Sequence, residues 1–362
     1  MTNLLLFIAG LVALVAGAEL LVRGASKLAL SLGISPLVVG LTIVAFGTSA
    51  PEVAVSVGSA IQGRTDIAIG NVVGSNVFNV LFILGLSALI APLVVNVQII
   101  RQEVPIMIGA SLLLLAFALD GRVGRIDSAI FLVLLAAYTG FLIVQSRRET
   151  KQAQDTYAHA TERASTWDSK LPVQLLLIAA GLALLVLGSN WLVDAAVAFA
   201  KALGVSDIVI GLTIVAAGTS MPEVATSVMA AIKGERDIAV GNVVGSNTFN
   251  ILGCLGVTGL VAEGGLPIAA SVLNFDLWVM IAVAFACLPI FLTGREIARW
   301  EGAVFLAYYA AYAAYLILAA QQHDALAAYS NVMLSFVVPI TIVTIVVVLL
   351  RRPASGASAP PR

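Results

Sequence analysis

Forty-six residues of this chain occur twice. The segment 40–85 matches 211–256 without a gap at an offset of 171 positions, and 33 of the 46 pairs are identical. Gly40 to Glu52 reads GLTIVAFGTSAPE where Gly211 to Glu223 reads GLTIVAAGTSMPE, and Gly70 to Asn79 reads GNVVGSNVFN where Gly241 to Asn250 reads GNVVGSNTFN. The offset also aligns Leu4 to Gly10 with Leu175 to Gly181. A duplication this long demands a fold made of two copies of one unit, each carrying half of whatever the repeated motif does.

The stretches around the repeat decide what that unit is. Apolar runs such as Leu4 to Val22 and Ser128 to Val144 are close to the length that crosses a bilayer, about 20 residues. Only 11% of the 362 residues are charged and 60% are hydrophobic, against roughly 25% and 45–50% in soluble domains. Hydropathy places spans at roughly 4–22, 36–62, 66–92, 103–119 and 126–145 in the first half. In the second half they fall at roughly 173–192, 206–233, 237–262, 273–293 and 301–319, with an eleventh near 331–350. Five spans per copy is an odd number, so the second copy enters the membrane from the opposite face. The expected fold is therefore an all-α polytopic membrane protein of two inverted five-helix repeats, ten transmembrane helices, plus an extra C-terminal transmembrane helix. Its parts are a first repeat at 1–145, a cytoplasmic linker at 146–172, a second repeat at 173–320, the extra helix at 331–350 and a disordered tail at 351–362. The first span is long enough to cross and lacks a basic stretch before it, which predicts a retained helix, not a cleaved signal.

Basic residues orient the chain. With the N-terminus outside, the cytoplasmic set holds fifteen Lys and Arg, among them Arg23, Lys27, Arg147, Arg148, Lys233 and Arg236. The outer set is Arg64, Arg122, Arg125 and Lys201. The expected location is the cell membrane, N-terminus outside and C-terminus cytoplasmic, with the lipid bilayer and small cations as partners. A net charge of −1 points to no nucleic-acid partner. Cys254 and Cys287 lie in apolar runs and read as packing residues, and Trp191 and Trp300 read as interface anchors.

The motifs are out of place in a hydrophobic span. Pro51 and Pro222 lack an N–H and interrupt the helical ladder, Gly47 and Gly218 ease a bend, and freed carbonyls at that depth need a partner or a water-lined cavity. Thr48, Ser49, Thr219 and Ser220 add hydroxyls, and Glu52 and Glu223 add carboxylates. A charged carboxylate at membrane depth costs at least about 2.5–3.5 kcal/mol. Two of them at equivalent places in inverted halves should meet near the midplane and repel, which a bound cation relieves. Asn71, Ser75 and Asn79 are spaced by four and share a helix face, as do Asn242, Ser246 and Asn250. Carboxylate, amide, hydroxyl and carbonyl oxygens suit a hard cation such as calcium, with its 6–8 oxygen ligands. Without Cys or His in the set, softer metals are poor candidates. Plainer roles compete. The threonines and serines could bond back to their own helices, and Asn71 and Asn242 could hold helices together. Gly70, Gly74, Gly241 and Gly245 read as close-packing positions, and Asp66 and Asp237 as N-caps or dipole partners.

With these motifs in view, the chain resembles the calcium/cation antiporter superfamily, and most its bacterial sodium/calcium exchanger branch. The likeness covers spans 1 to 10 and is most specific in the two repeated segments, the alpha repeats of that family. It implies ten helices, four ion sites in a central diamond and sodium-driven calcium extrusion, with no prosthetic group. Matched by motif, Thr48, Ser49, Glu52, Ser75, Asn79, Thr219, Ser220, Glu223 and Ser246 carry over as ligands, joined by the backbone carbonyls of Ala45 and Ala216. Asn250 stands where many exchangers carry Asp, which bears on stoichiometry and coupling ion, and the eleventh span is extra to the family pattern. The expected activity is exchange of calcium for sodium by alternating access. Proton-coupled exchange of calcium or another divalent cation and a passive cation channel are the alternatives. An intramembrane hydrolase using Ser49 or Ser220 would have no His or Lys nearby as base, so no enzyme activity is expected.

Overall fold

The computed structural model describes residues 2–157, 170–203 and 216–350. Among them nine helices are long and apolar enough to cross a membrane, ten if a bent pair counts as one span. They are α1 (Thr2–Leu32), the bent pair α2 (Pro36–Thr48) and α3 (Ala50–Ile61), α4 (Thr65–Ile90), α5 (Ile99–Ala118) and α6 (Arg125–Tyr157). The second half gives α7 (Leu171–Ala202), the shorter α8 (Met221–Ile232), α9 (Arg236–Val261), α10 (Val272–Leu292) and α11 (Arg299–Ala320), followed by α12 (Ala325–Thr344). The start of the expected span 206–233 lies outside the described residues.

The helices that carry the repeated motifs are the innermost. In α9, 94% of the apolar stretch is buried, in α4 72%, and in α12 none. The reason is composition. Gly, Ser, Asn and Thr leave α4 and α9 poor partners for lipid, while the Val- and Ile-rich α12 is at home there. α12 is tied to α11 at the edge: Tyr308 Oη donates to Thr341 Oγ1 at 2.6 Å and Tyr329 Oη to the Ala311 carbonyl at 2.8 Å.

Two minimal β ladders add to the all-helical expectation and report the inversion directly. β1 (Leu93–Val94) follows α4, and β2 (Arg122–Val123) lies between α5 and α6. β3 (Leu266–Pro267) follows α9, and β4 (Glu296–Ile297) lies between α10 and α11. β1 pairs antiparallel with β4, Leu93 opposite Ile297, and β2 pairs with β3, Arg122 opposite Pro267. The loop after α4 is the counterpart of the loop after α9, yet each pairs with the other kind of loop from the opposite half. Equivalent loops therefore lie on opposite faces, as two inverted five-helix repeats require.

The helix ends depart from hydropathy in three places. α1 and α7 outrun the expected 4–22 and 173–192, because a helix with long basic side chains such as Arg23 and Lys27 continues past the point where its composition stops being purely apolar. α6 continues to Tyr157, so the first part of the expected linker is helical, while residues 158–169 lie outside the described set. Asp66 and Asp237 are not N-caps. Arg64 and Glu235 hold that position without a side-chain bond, and each aspartate sits in the first turn, where the helix dipole favours it. α3 and α8 both end on glycine, Gly63 at φ +72° and Gly234 at φ +78°, a C-terminal turn that a side chain would strain.

Candidate cation site

α2 and α3 meet at Ser49 with a 41° bend, because Pro51, second residue of α3, has no N–H to continue the ladder. Pro222 holds the same place in α8. The break was expected at the prolines, with Gly47 and Gly218 easing the bend, and these glycines also lie close against α7. A Cβ on Gly47 would lie 2.7 Å from the Leu182 side chain of α7, and one on Gly218 would collide with Val193. The carbonyls deprived of a partner by the prolines are those four residues back, Gly47 and Gly218. Ser189 Oγ of α7 caps the Gly218 carbonyl at 2.6 Å. The Ala45 carbonyl accepts the Ser49 N–H at 3.1 Å and the Thr48 hydroxyl at 3.4 Å, and Ala216 stands at the edge of the described residues.

Both half-helices carry a glutamate in the first turn, at their positive ends. Glu52 and Glu223 are completely buried and interact electrostatically with one another. Ser49 Oγ donates to Glu223 Oε1 at 2.9 Å, and Ser220 Oγ donates to Glu52 Oε1 at 2.8 Å. Ser-x-x-Glu at a helix start spells a capping box within one helix. Here the serines exchange partners, and each half holds the other half's acid. Ser220 also reaches Ser75 Oγ at 3.2 Å, and Ser246, likewise buried, lies beside Glu223.

A second exchange surrounds the first. Thr48 Oγ1 donates to Asn242 Oδ1 and Thr219 Oγ1 to Asn71 Oδ1, both at 3.2 Å. Asn71 Nδ2 donates to Ser56 Oγ and to the Glu52 carbonyl, and Asn242 Nδ2 to Ser227 Oγ. The amide oxygens of Asn71 and Asn242 are therefore engaged by threonines, as struts between the halves. Cys254 Sγ, buried, also rests 3.5 Å from the Glu52 carbonyl.

Asn79 and Asn250 open π-helical turns, Asn79–Leu84 and Asn250–Leu255, a local distortion common at functional sites. The first packs against α8 and the second against α3, so each faces the helix bearing the other half's glutamate. Their Nδ2 atoms donate to Asn247 Oδ1 and Asn76 Oδ1. Asn76 and Asn247 were missed by face periodicity because they stand one residue off the 71–75–79 and 242–246–250 rows. Only their presence in both copies of GSN marked them. Of the site's buried carboxylate and amide oxygens, four accept nothing, Glu52 Oε2, Glu223 Oε2, Asn79 Oδ1 and Asn250 Oδ1, and the Ser246 hydroxyl is likewise without a hydrogen-bond partner. Buried acceptors without a donor are rare and costly, and oxygens in this combination match a hard cation. Among the described residues no three His, Cys, Asp or Glu side chains cluster, so a cation here would be held by two carboxylates and neutral oxygens. A large cavity of about 1720 Å³ opens between α2, α6 and α7, but Leu41, Phe46, Leu135, Leu182 and Phe249 line it and no candidate ligand does.

Inverted repeats around a buried, doubly acidic, oxygen-rich centre define a secondary transporter of cations. The comparisons agree. Residues 2–144 and 173–318 match the family described as sodium/calcium exchanger protein. The sodium/calcium exchanger MaX1 of Methanosarcina acetivorans is 34% identical over 86% of this chain and 97% of its own. The inner membrane protein YrbG of Escherichia coli is 36% identical over 78% and 87%. Structures of the sodium-calcium exchanger NCX_Mj superpose with a TM-score of 0.72 at 30% identity, covering 85% of this chain and 96% of that one. The chain belongs to the sodium/calcium exchanger family: it is a multi-pass membrane antiporter of cations and not an enzyme.

Proposed function

We propose that this protein exchanges calcium for sodium by alternating access at the Glu52/Glu223 site, with the ions competing for one set of oxygens. Thr48, Ser49, Ser75, Asn79, Thr219, Ser220, Ser246 and Asn250 complete the set, with the carbonyls of Ala45 and Ala216 beside them. The observation that carries this reading is the group of orphaned buried carboxylate and amide oxygens, Glu52 Oε2, Glu223 Oε2, Asn79 Oδ1 and Asn250 Oδ1, one of each kind from each half. Two carboxylates neutralise one calcium ion, while sodium ions satisfy them singly, so occupancy by one species excludes the other and couples the fluxes. The sodium gradient then supplies the drive. The orientation is N-terminus outside and C-terminus cytoplasmic, on the distribution of Lys and Arg.

Purified protein in liposomes tests it, with sodium and proton gradients imposed separately and calcium, magnesium and manganese compared. Sodium-driven calcium uptake is expected, lost in Glu52→Gln and in Glu223→Gln while both variants remain inserted. Normal flux in either variant overturns the site. Uptake driven by a pH gradient alone assigns the coupling to protons instead, and flux that never exceeds the imposed gradient assigns a channel.

A further inference from the structure

We infer that Asn76 and Asn247 are positioning residues that fix which end of the Asn250 and Asn79 amides faces the cation, an inference that rests on the site proposed above. An asparagine side chain is nearly symmetric in shape but opposite in polarity at its two ends: the oxygen binds a cation and the NH2 repels it. Something must therefore choose the end.

The choice starts from groups that cannot be reversed. A backbone carbonyl only accepts. Asn76 Nδ2 lies 3.3 Å from the Asn247 carbonyl, and Asn247 Nδ2 lies 3.2 Å from the Asn76 carbonyl. Each side chain must turn its NH2 to the opposite backbone, and Asn76 Nδ2 has Met280 Sδ at 3.6 Å as a further acceptor. Their oxygens then face away from the backbone: Asn76 Oδ1 toward Asn250 Nδ2 at 3.1 Å, and Asn247 Oδ1 toward Asn79 Nδ2 at 2.9 Å. An oxygen at these distances demands a donor. Asn250 and Asn79 must therefore present NH2 to the ring and release Oδ1, the two amide oxygens left without a partner. All four side chains are at most 2% exposed, so bulk solvent does not compete for these bonds. The relay crosses twice: the second half's backbone turns Asn76 of the first half, which in turn orients the second half's ligand Asn250, and the first half's backbone does the same to Asn79 through Asn247.

The test is calcium uptake into liposomes over a range of calcium concentrations. Asn76→Ala releases Asn250 to rotate, so the apparent KM for calcium is expected to rise by about 10–100-fold, the usual cost of losing a ligand's supporting partner, with a smaller change at saturating calcium. Asn250→Asp has oxygen at both ends and needs no orienting. In that background Asn76→Ala should cost nothing or improve KM, because Asn76 Oδ1 otherwise faces a carboxylate. Asn247→Ala in the same Asn250→Asp background should keep its full cost, and Asn79→Asp should cancel it. Equal costs in every background would assign the ring to packing and overturn the inference. So would failure of both alanine variants to fold even when paired with their aspartates. The site itself is judged separately by Glu52→Gln: a silent Asn76→Ala beside a dead Glu52→Gln sinks the relay alone, and a fully active Glu52→Gln sinks the site.

Discussion

Ser49 and Ser220 occupy helix-start positions where a serine ordinarily bonds its own backbone, and both instead hold the glutamate of the other half. The exchange orients each carboxylate through Oε1 and leaves Oε2 for a cation. A hydrogen bond to a charged group is worth about 1.5–3 kcal/mol, so Ser49→Ala and Ser220→Ala should each raise the apparent KM for calcium by roughly tenfold or more. Ser220→Ala should be the more severe, because Ser220 also engages Ser75. Calcium titrations of transport decide it, and wild-type KM in both variants would deny the serines any part in holding the acids. The glutamates, serines and threonines could be read from the chain because they recur at a fixed offset inside apolar spans. Which hydroxyl serves which acid could not, since bonds within a half and bonds between halves fit the same spacing.

α1 and α7 form a tightly joined pair through glycines seven residues apart. A Cβ on Gly10 would lie 2.8 Å from the Gly188 carbonyl, one on Gly188 the same distance from the Gly10 carbonyl, and Gly17 and Gly181 repeat the reciprocal contact. The backbones touch, the close approach that small residues at a helix interface permit. Replacing Gly17 or Gly181 by Val forces them apart, and overpacking of this kind costs about 1–3 kcal/mol. A lowered Tm in detergent together with reduced flux is expected. Gly58→Ala in α3, where nothing among the described residues lies within 4 Å, should leave flux unchanged and not lower Tm, since alanine suits a helix interior better than glycine. The small-residue pairs of α4 and α9 behave unequally. Gly241 and Gly245 receive Leu37 and Leu41 of α2, whereas nothing among the described residues approaches Gly70 or Gly74. Their counterpart partners, at 208 and 212, fall in the stretch outside the described residues.

The two-fold relation is broken where the α1–α7 pair meets the core. α1 packs along α8, while α7 has at most marginal contact with α3. An ion pair joins α1 to the C-terminal end of α8, Lys233 Nζ to Glu19 Oε1 at 2.5 Å, and the mirror positions carry the uncharged Gln62 and Asn190. The pair is partly exposed, and such pairs are worth about 0.2–1 kcal/mol. Glu19→Gln and Lys233→Gln should therefore shift the balance of the two end states by less than about fivefold, equally, and with no further shift in the double variant. Apparent calcium affinities measured separately at the two faces of oriented vesicles would reveal this, and additive effects of the two substitutions would show that they act independently.

The chain alone determined that there are two copies, that they are inverted and that an acid from each falls within an apolar stretch, because apolar length, odd span number and duplicated Glu52 and Glu223 are properties of linear order. Only the tertiary structure decided the exchanged serines, the amide ring and the unequal packing of α1 and α7 on the core. Each depends on which atom of one half lies within about 3 Å of an atom 150 or more residues away, the range over which hydrogen bonds act.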